Sequence, residues 1–338
     1  MKNKMIALHL LGDRRSEVRE TEIPELHDNE VLVKVCSSAI CGSEKPLYAM
    51  NKTIDALSGH EAVGIVADAG KSRIVKEGDH VAIYALYTCG ECYYCKNGLT
   101  QFCRNVQGVS SSSHAQYTAC RDVNCIRIDP EMPFDSAVLV YGDTLGVAYR
   151  AMQSSNIRKG ATAYVIGAGP IGLGIMAYLK YKGVRIITAD IVEYRREIAR
   201  TNIRADTVLN PLTDDVDSVL KEKTEGLGPE YVFECSGNPD AELSALSLVR
   251  CFGTVCFAGE NYKGLTIIPS DHVIHKEIKI TGAFYYAPSD AGRILSDYND
   301  GLEADKLVTH KFPLSQADKA FDLFMNGKTG KVIIHPWD

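Results

Sequence analysis

Short runs of alternating apolar and polar residues dominate the first part of the chain. Segments 30–37 (EVLVKVCS), 60–67 (HEAVGIVA) and 79–86 (DHVAIYAL) are rich in β-branched residues and are separated by glycine and polar turns. This predicts a β-rich lobe up to about residue 145. From Gly160 onward the pattern changes to apolar strand, glycine turn, helix and apolar strand again: 161–166 (ATAYVI), 169–183 (GPIGLGIMAYLKYKG), 184–190 (VRIITAD) and 193–203 (EYRREIARTNI). Later apolar runs at 230–237, 253–260 and 278–284 continue it, and such alternation predicts a parallel sheet with helical crossovers. A helix-like stretch over 289–299 and a strand-like 331–338 (KVIIHPWD) follow. The economical account is an α/β protein in which a Rossmann domain is inserted into a β lobe that includes both termini.

The 338 residues suffice for two cores, and 45 % hydrophobic with 24 % charged content is ordinary for a globular chain. A formal net charge of −6, with no Lys/Arg-rich run to offset it, argues against nucleic acid as a partner. The N-terminal apolar stretch is too short for a signal peptide, and no run reaches the roughly 18 apolar residues of a membrane span. The expected location is the cytoplasm, with no membrane partner.

Four of the eleven cysteines, Cys89, Cys92, Cys95 and Cys103, fall within fifteen residues as C-x2-C-x2-C-x7-C. Four thiolates with this spacing suit tetrahedral zinc, saturate it and leave no position for a substrate. A ferredoxin-type cluster would continue x3-C-P, whereas here the fourth cysteine follows seven residues and precedes Arg104. The second motif is Gly167-Ala168-Gly169-Pro170-Ile171-Gly172, placed between an apolar strand and a helix as a dinucleotide turn requires. Asp190 ends the next strand, eighteen residues past Gly172, where an acid meets the adenosine ribose. A carboxylate there repels a 2′-phosphate, so NAD is expected over NADP, although Arg195 and Arg196 lie close enough along the chain to blunt the repulsion.

Two further segments, Cys41-Gly42-Ser43-Glu44 and Gly59-His60-Glu61 running on to Gly64, complete a set of ordered motifs with the four-cysteine lobe, the Gly78-Asp79-x-Val81 turn and the nucleotide turn. With these the whole chain resembles the zinc-dependent medium-chain dehydrogenase/reductase superfamily of alcohol, polyol and glucose dehydrogenases. The resemblance implies a GroES-like catalytic domain at 1–146 with the zinc lobe at 89–103, a Rossmann domain at 147–284 and a return to the catalytic domain at 285–338. It implies a catalytic zinc on Cys41, His60 and a third ligand at Asp143, with Glu61 the substitute, beside the four-cysteine zinc. Glu61 would otherwise stand behind the ligands, Glu44 would orient the His60 ring, and Ser43 would accept the alcohol proton. Pro46 replaces the histidine that hands this proton to solvent in many relatives.

The expected activity is NAD-linked oxidation of a secondary alcohol of a polyol, sugar or cyclitol by a homodimer or homotetramer. An NADP-preferring reductase of the same fold and a non-catalytic nucleotide-binding zinc protein are the alternatives. Tyr48, Tyr84, Tyr87, Tyr141 and Arg150 are candidate substrate contacts, and the eight histidines other than His60 attach to no motif.

Overall fold

A computed structural model describes residues 4–338. The β-rich lobe is organised around the strand Glu30–Ala39, whose residues alternate between partly and fully buried over most of its length. It pairs antiparallel with Glu61–Asp68, Tyr117–Arg121 and, from the far end of the chain, Lys331–His335. The C-terminal strand also pairs in parallel with Val308–Pro313, so the last residues close the sheet that residue 30 began. A separate hairpin, Lys4–Gly12 with Arg15–Glu22, turns at Asp13 and Arg14, both with positive φ, as the right-handed strand twist favours in two-residue hairpins.

The second lobe holds six parallel strands in the order Thr207–Leu209, Arg185–Ala189, Thr162–Ile166, Tyr231–Glu234, Thr254–Phe257, Lys279–Gly282. Thr162–Ile166 is buried along its whole length, because helices cover both faces of a parallel sheet. The order reverses between Thr162–Ile166 and Tyr231–Glu234, and ligands of such sheets bind at the strand ends beside that switch.

Two helices occupy ground that the sequence pattern assigns to the β lobe, Phe134–Val140 and Asp143–Ser155. The expected domain junction at 146/147 therefore falls inside a continuous thirteen-residue helix rather than in a linker. That helix is buried on most sides, and its exposed polar residues are confined to a short stripe near its C-terminal end, Gln153 and Ser154 beside the half-buried Arg150. Among the described residues no helix is long and apolar enough to cross a membrane.

A cleft joining a metal-donor cluster to a dinucleotide turn

Cys41 leaves the end of Glu30–Ala39 and His60 precedes Glu61–Asp68. Because Ala39 and Glu61 are register partners, the two donors emerge side by side. Asp143 arrives from the first residue of its helix. One ligand atom from each of Cys41, His60, Glu61 and Asp143 lies within 4.8 Å of the others. Asp143 Oδ2 is 3.1 Å from His60 Nε2 and accepts from Cys41 Sγ at 3.6 Å, while the buried Oδ1 has no partner. Burial alone would lower the His60 pKa, yet Asp143 and Cys41 outweigh it and hold the ring well above its ordinary value. Burial, then the Asp143 charge, raises the Cys41 thiol. Both shifts show a site that favours positive charge, which with a carboxylate oxygen left unsatisfied fits a bound cation, and thiol, imidazole and carboxylate are a zinc donor set.

Glu61 forms a buried ion pair with Lys331, Oε1 to Nζ 2.5 Å, and its Oε2 accepts the Asp143 backbone N–H at 3.1 Å. The role expected of Glu44 is corrected. Its carboxylate does not hydrogen-bond the His60 ring but accepts the backbone N–H groups of Cys41 (2.9 Å) and Gly59 (2.8 Å) and lies 3.2 Å from His114 Nε2. The longer glutamate reaches past the imidazole and ties together the two backbones that carry the donors. Burial opposes its charge, but His114 and the backbone donors bring the Glu44 pKa down to about 2. His114 is fully buried and its other nitrogen is 2.6 Å from Ser38 Oγ. Ser43 sits in the turn after Cys41, exposed, with no hydrogen bond to a described residue.

The four cysteines of the lobe converge without disulfides, with Cys89–Cys103 Sγ atoms 3.5 Å apart, Cys92–Cys95 3.6 Å and Cys89–Cys95 4.0 Å. Backbone N–H groups of Cys95 and Arg104 bring the Cys92 thiol down to about 6, whereas burial and the neighbouring thiols push Cys95 up to about 12, as crowded sulfurs that cannot all ionise unaided must do. Their four sulfurs also lie within 4.8 Å of one another. Both clusters therefore fit a metal, and the one containing Cys41 lines a cavity large enough for a cofactor.

That cavity, about 920 Å³, runs from Cys41 and Glu61 past Thr144 to Gly167, Gly169 and Asp190. Gly169 caps the helix Pro170–Tyr181 in extended conformation with proline in its first turn, leaving the helix N-terminus open to an anion. Gly167 has φ +93°, and a Cβ on Gly172 would lie 1.9 Å from Gly167 O, so both positions need glycine. Ile171 lines the same cleft. Asp190 accepts the N–H of Ala168 and of Val192, both at 2.8 Å, which fixes its carboxylate at the turn. Arg195 reaches within 3.8 Å of Asp190 Oδ2, lines the cleft and has a buried Nε without a partner. Arg196 does not reach the cleft, because it is buried against Asp190 O and Glu193.

The candidate substrate contacts fare unevenly. Tyr48 packs on Phe321 in an apolar cluster, Tyr87 lies beneath Arg121 and Tyr141 is in the main core. Arg150 is held by Asp290 at 2.6 Å. Tyr84 is buried with its hydroxyl on Tyr286 O, in a cluster with Tyr285 and Tyr286, which composition and spacing did not single out. Lys331 and His114 also escaped the sequence reading. A lysine opening the apolar run KVIIH was the one available signal, and nothing around His114 offered any.

Comparison with known proteins agrees with this geometry. Residues 27–130 match the alcohol dehydrogenase GroES-like domain and 170–298 the zinc-binding dehydrogenase domain. The chain is 32 % identical over 335 residues to L-threonine 3-dehydrogenase of Caldanaerobacter subterraneus subsp. tengcongensis, covering 95 % of each. It is 29 % identical over 328 residues to D-arabitol-phosphate dehydrogenase of Enterococcus avium, covering 93 % of this chain and 92 % of the relative. A solved alcohol dehydrogenase from Escherichia coli CFT073, complexed with NADH, superposes with TM-score 0.86 at 25 % identity over 98 % of this chain and 99 % of the other. The chain belongs to the zinc-dependent medium-chain dehydrogenase/reductase superfamily, a GroES-like domain joined to a Rossmann domain.

Proposed function

We propose that the protein oxidises a secondary alcohol of a polyol, sugar or cyclitol, its carbon giving hydride to NAD and its hydroxyl giving up a proton. The observation that carries this reading is the single cleft with the Cys41 cluster at one end and the glycine turn and Asp190 at the other. Two zinc ions per chain are part of it. Cys41, His60 and Asp143 would hold one, and Cys89, Cys92, Cys95 and Cys103 the other, which shapes its loop. Zinc at the first site supplies a Lewis acid that makes an alcohol proton easier to remove and a carbonyl easier to reduce.

The chain's own residues do the rest. A thiolate, a carboxylate and a neutral imidazole leave an open position that the four-thiolate site lacks. Ser43 Oγ, which no described residue engages, takes the hydroxyl proton. Pro46 cannot pass that proton on; a bound dinucleotide would offer its ribose hydroxyls, together with water, as one onward route, and another group of the chain is the other. Glu44 holds the backbones of Cys41 and Gly59 at fixed separation, and Lys331 holds Glu61 behind Asp143. Asp190 has spent two of its roughly four acceptor positions on backbone N–H groups, and the remainder can take ribose hydroxyls.

The substrate class rests on similarity. Threonine oxidised at carbon 3 reacts at a secondary carbon flanked by a polar group, and that chemistry is carried over here. One observation favours a second reading, use of NADP: the unpartnered Arg195 Nε beside Asp190 could serve a 2′-phosphate. A panel of alcohols assayed with each cofactor tests both. The best polyol, sugar or cyclitol should exceed ethanol, hexanol and benzyl alcohol in kcat/KM by at least about tenfold, as expected when buried polar groups go unmatched. A primary alcohol at the head of the panel would refute the substrate class, and a higher kcat/KM with NADP would refute the cofactor assignment.

A further inference from the structure

Three tyrosines pack together near Asp143, and the fold consumes two of their hydroxyls. Tyr84 Oη donates to Tyr286 O at 3.0 Å and lies 3.2 Å from Thr100 Oγ1. Tyr286 Oη donates to Tyr141 O, and its ring fills the space above Gly146, where a Cβ would come within 2.5 Å, on the helix that begins with Asp143. The third ring, Tyr285, is stacked on Tyr286 with centroids 5.3 Å apart and sits 5.7 Å from Tyr84. Its hydroxyl makes no hydrogen bond with any described residue.

Tyr285 is also held at φ +50°, left-handed backbone that glycine or asparagine adopts far more cheaply than an aromatic residue. Strain of this kind persists where surrounding structure over-determines it, and it concentrates at ligand-binding positions. The hydroxyl is fixed as a donor: burial, then the negative charge of Asp143, keeps the phenol well above its ordinary pKa. Tyr285 is thus stacked on the ring that packs against the first turns of the Asp143 helix, and its hydroxyl, which no described residue engages, can offer a hydrogen bond to a molecule that enters there.

Building on the alcohol-oxidation reading, we propose that Tyr285 selects the substrate, its hydroxyl donating to an oxygen on the carbon adjacent to the one that loses hydride. The favoured substrates are then vicinal diols and their hydroxy-ketone products, in preference to alcohols bearing one oxygen. Tyr84 and Tyr286, with hydroxyls already committed, hold the Tyr285 ring and do not read the substrate.

The test compares butane-2,3-diol, each stereoisomer separately, with butan-2-ol, which differs by one hydroxyl. Affinity for the zinc-loaded protein is read by ligand-observed NMR titration and kcat/KM by NAD reduction, in wild type, Tyr285→Phe and Tyr84→Phe. Wild type should bind one diol isomer more tightly than butan-2-ol. Tyr285→Phe, which keeps the ring, should weaken that diol about five- to tenfold, the range of one neutral hydrogen bond, and leave butan-2-ol within about twofold. Tyr84→Phe should lower thermal stability and keep the diol preference. An equal loss for both alcohols in Tyr285→Phe, no loss for either, or a wild type without diol preference would each overturn the assignment. Diol preference that depends on Tyr285 in a protein that oxidises neither alcohol would uphold it and sink the dehydrogenation reading of the substrate instead.

Discussion

Lys331→Met should be among the most destabilising single changes available in the β lobe. Lys331 and Glu61 are each 1 % exposed in their side chains and meet at 2.5 Å. Each opens a strand of the same sheet. Removing the ammonium leaves Glu61 Oε1 without a partner, its other oxygen held only by the Asp143 N–H, with the Asp143 carboxylate close by. An uncompensated buried charge of this kind costs about 3–5 kcal/mol, against a total stability for a typical domain of about 5–15 kcal/mol. Methionine nearly conserves the volume of lysine, so little of the loss can be charged to a cavity. Burial alone would lower the Lys331 pKa, but Glu61 outweighs it and raises it above the ordinary 10.5. The contribution is therefore complete below that value and is lost only as pH rises through the raised one, so a measurement at neutral pH reads all of it.

The companion variant separates charge from shape. In Lys331→Met with Glu61→Gln the amide oxygen still accepts from Asp143 N–H, but no charge is stranded, and about half or more of the lost stability should return. Guanidinium unfolding of zinc-loaded protein, followed by circular dichroism, measures all three chains. A loss below about 1 kcal/mol in the single variant, or a double variant no better than the single, would show that the pair does not behave as a buried ion pair.

Metal analysis should find two zinc ions per chain, with Cys95→Ser losing one and impairing folding, and Cys41→Ser or His60→Ala losing the other and abolishing turnover in a folded protein; one ion in the wild type, or iron, contradicts the assignment. Asp190→Ala should narrow the preference for NAD over NADP by removing repulsion of a 2′-phosphate and by weakening the ribose contact, which the ratio of kcat/KM values reads directly. Asp135 is shifted below its ordinary 3.8 because contacts with Lys311, Ser37 and His335 outweigh its burial, so its stabilisation is complete above that value and lost as pH falls further. Asp135→Asn should accordingly flatten the acid limb of stability below about pH 4, and an unaltered slope would count against the reading.

What could be read from the sequence was whatever carries a period or a fixed spacing. The strand Glu30–Ala39 faces two environments and alternates, and the nucleotide turn is written in glycines that no other residue can replace at Gly172. The hairpin at Asp13 and Arg14 was missed because its left-handed turn residues are not the Asn-Gly or Asp-Gly that usually signal one. Asp143–Ser155 was missed because its first two turns are buried all round, polar Asp143 and Thr144 included, and its exposed residues come only near the end. The partners of the donor cluster were hidden for a different reason. His114 lies 70 residues from Glu44 and Lys331 lies 270 from Glu61, and no local pattern encodes a pairing that only the closed sheet creates.

In the proposed reaction Asp143 would be the residue that joins the two lobes. Cys41 and His60 belong to the β-rich sheet, whereas Asp143 starts a helix whose next residue, Thr144, lies with its backbone oxygen 2.5 Å from where a Cβ on Gly174 would be. Gly174 lies on the helix that begins at the dinucleotide turn. The donor cluster thus takes its carboxylate from an element packed directly on the nucleotide lobe, so helix packing fixes one wall of a cleft whose other lining comes largely from loops and turns. Reacting atoms must be held to within a fraction of an ångström, since a misplacement of about 1 Å can cost about a hundredfold in rate, and close-packed helices hold position better than mobile segments do. A chain that split these functions at a flexible linker would have to restore that precision in every catalytic cycle; here the helix carrying Asp143 keeps it built into the ground state.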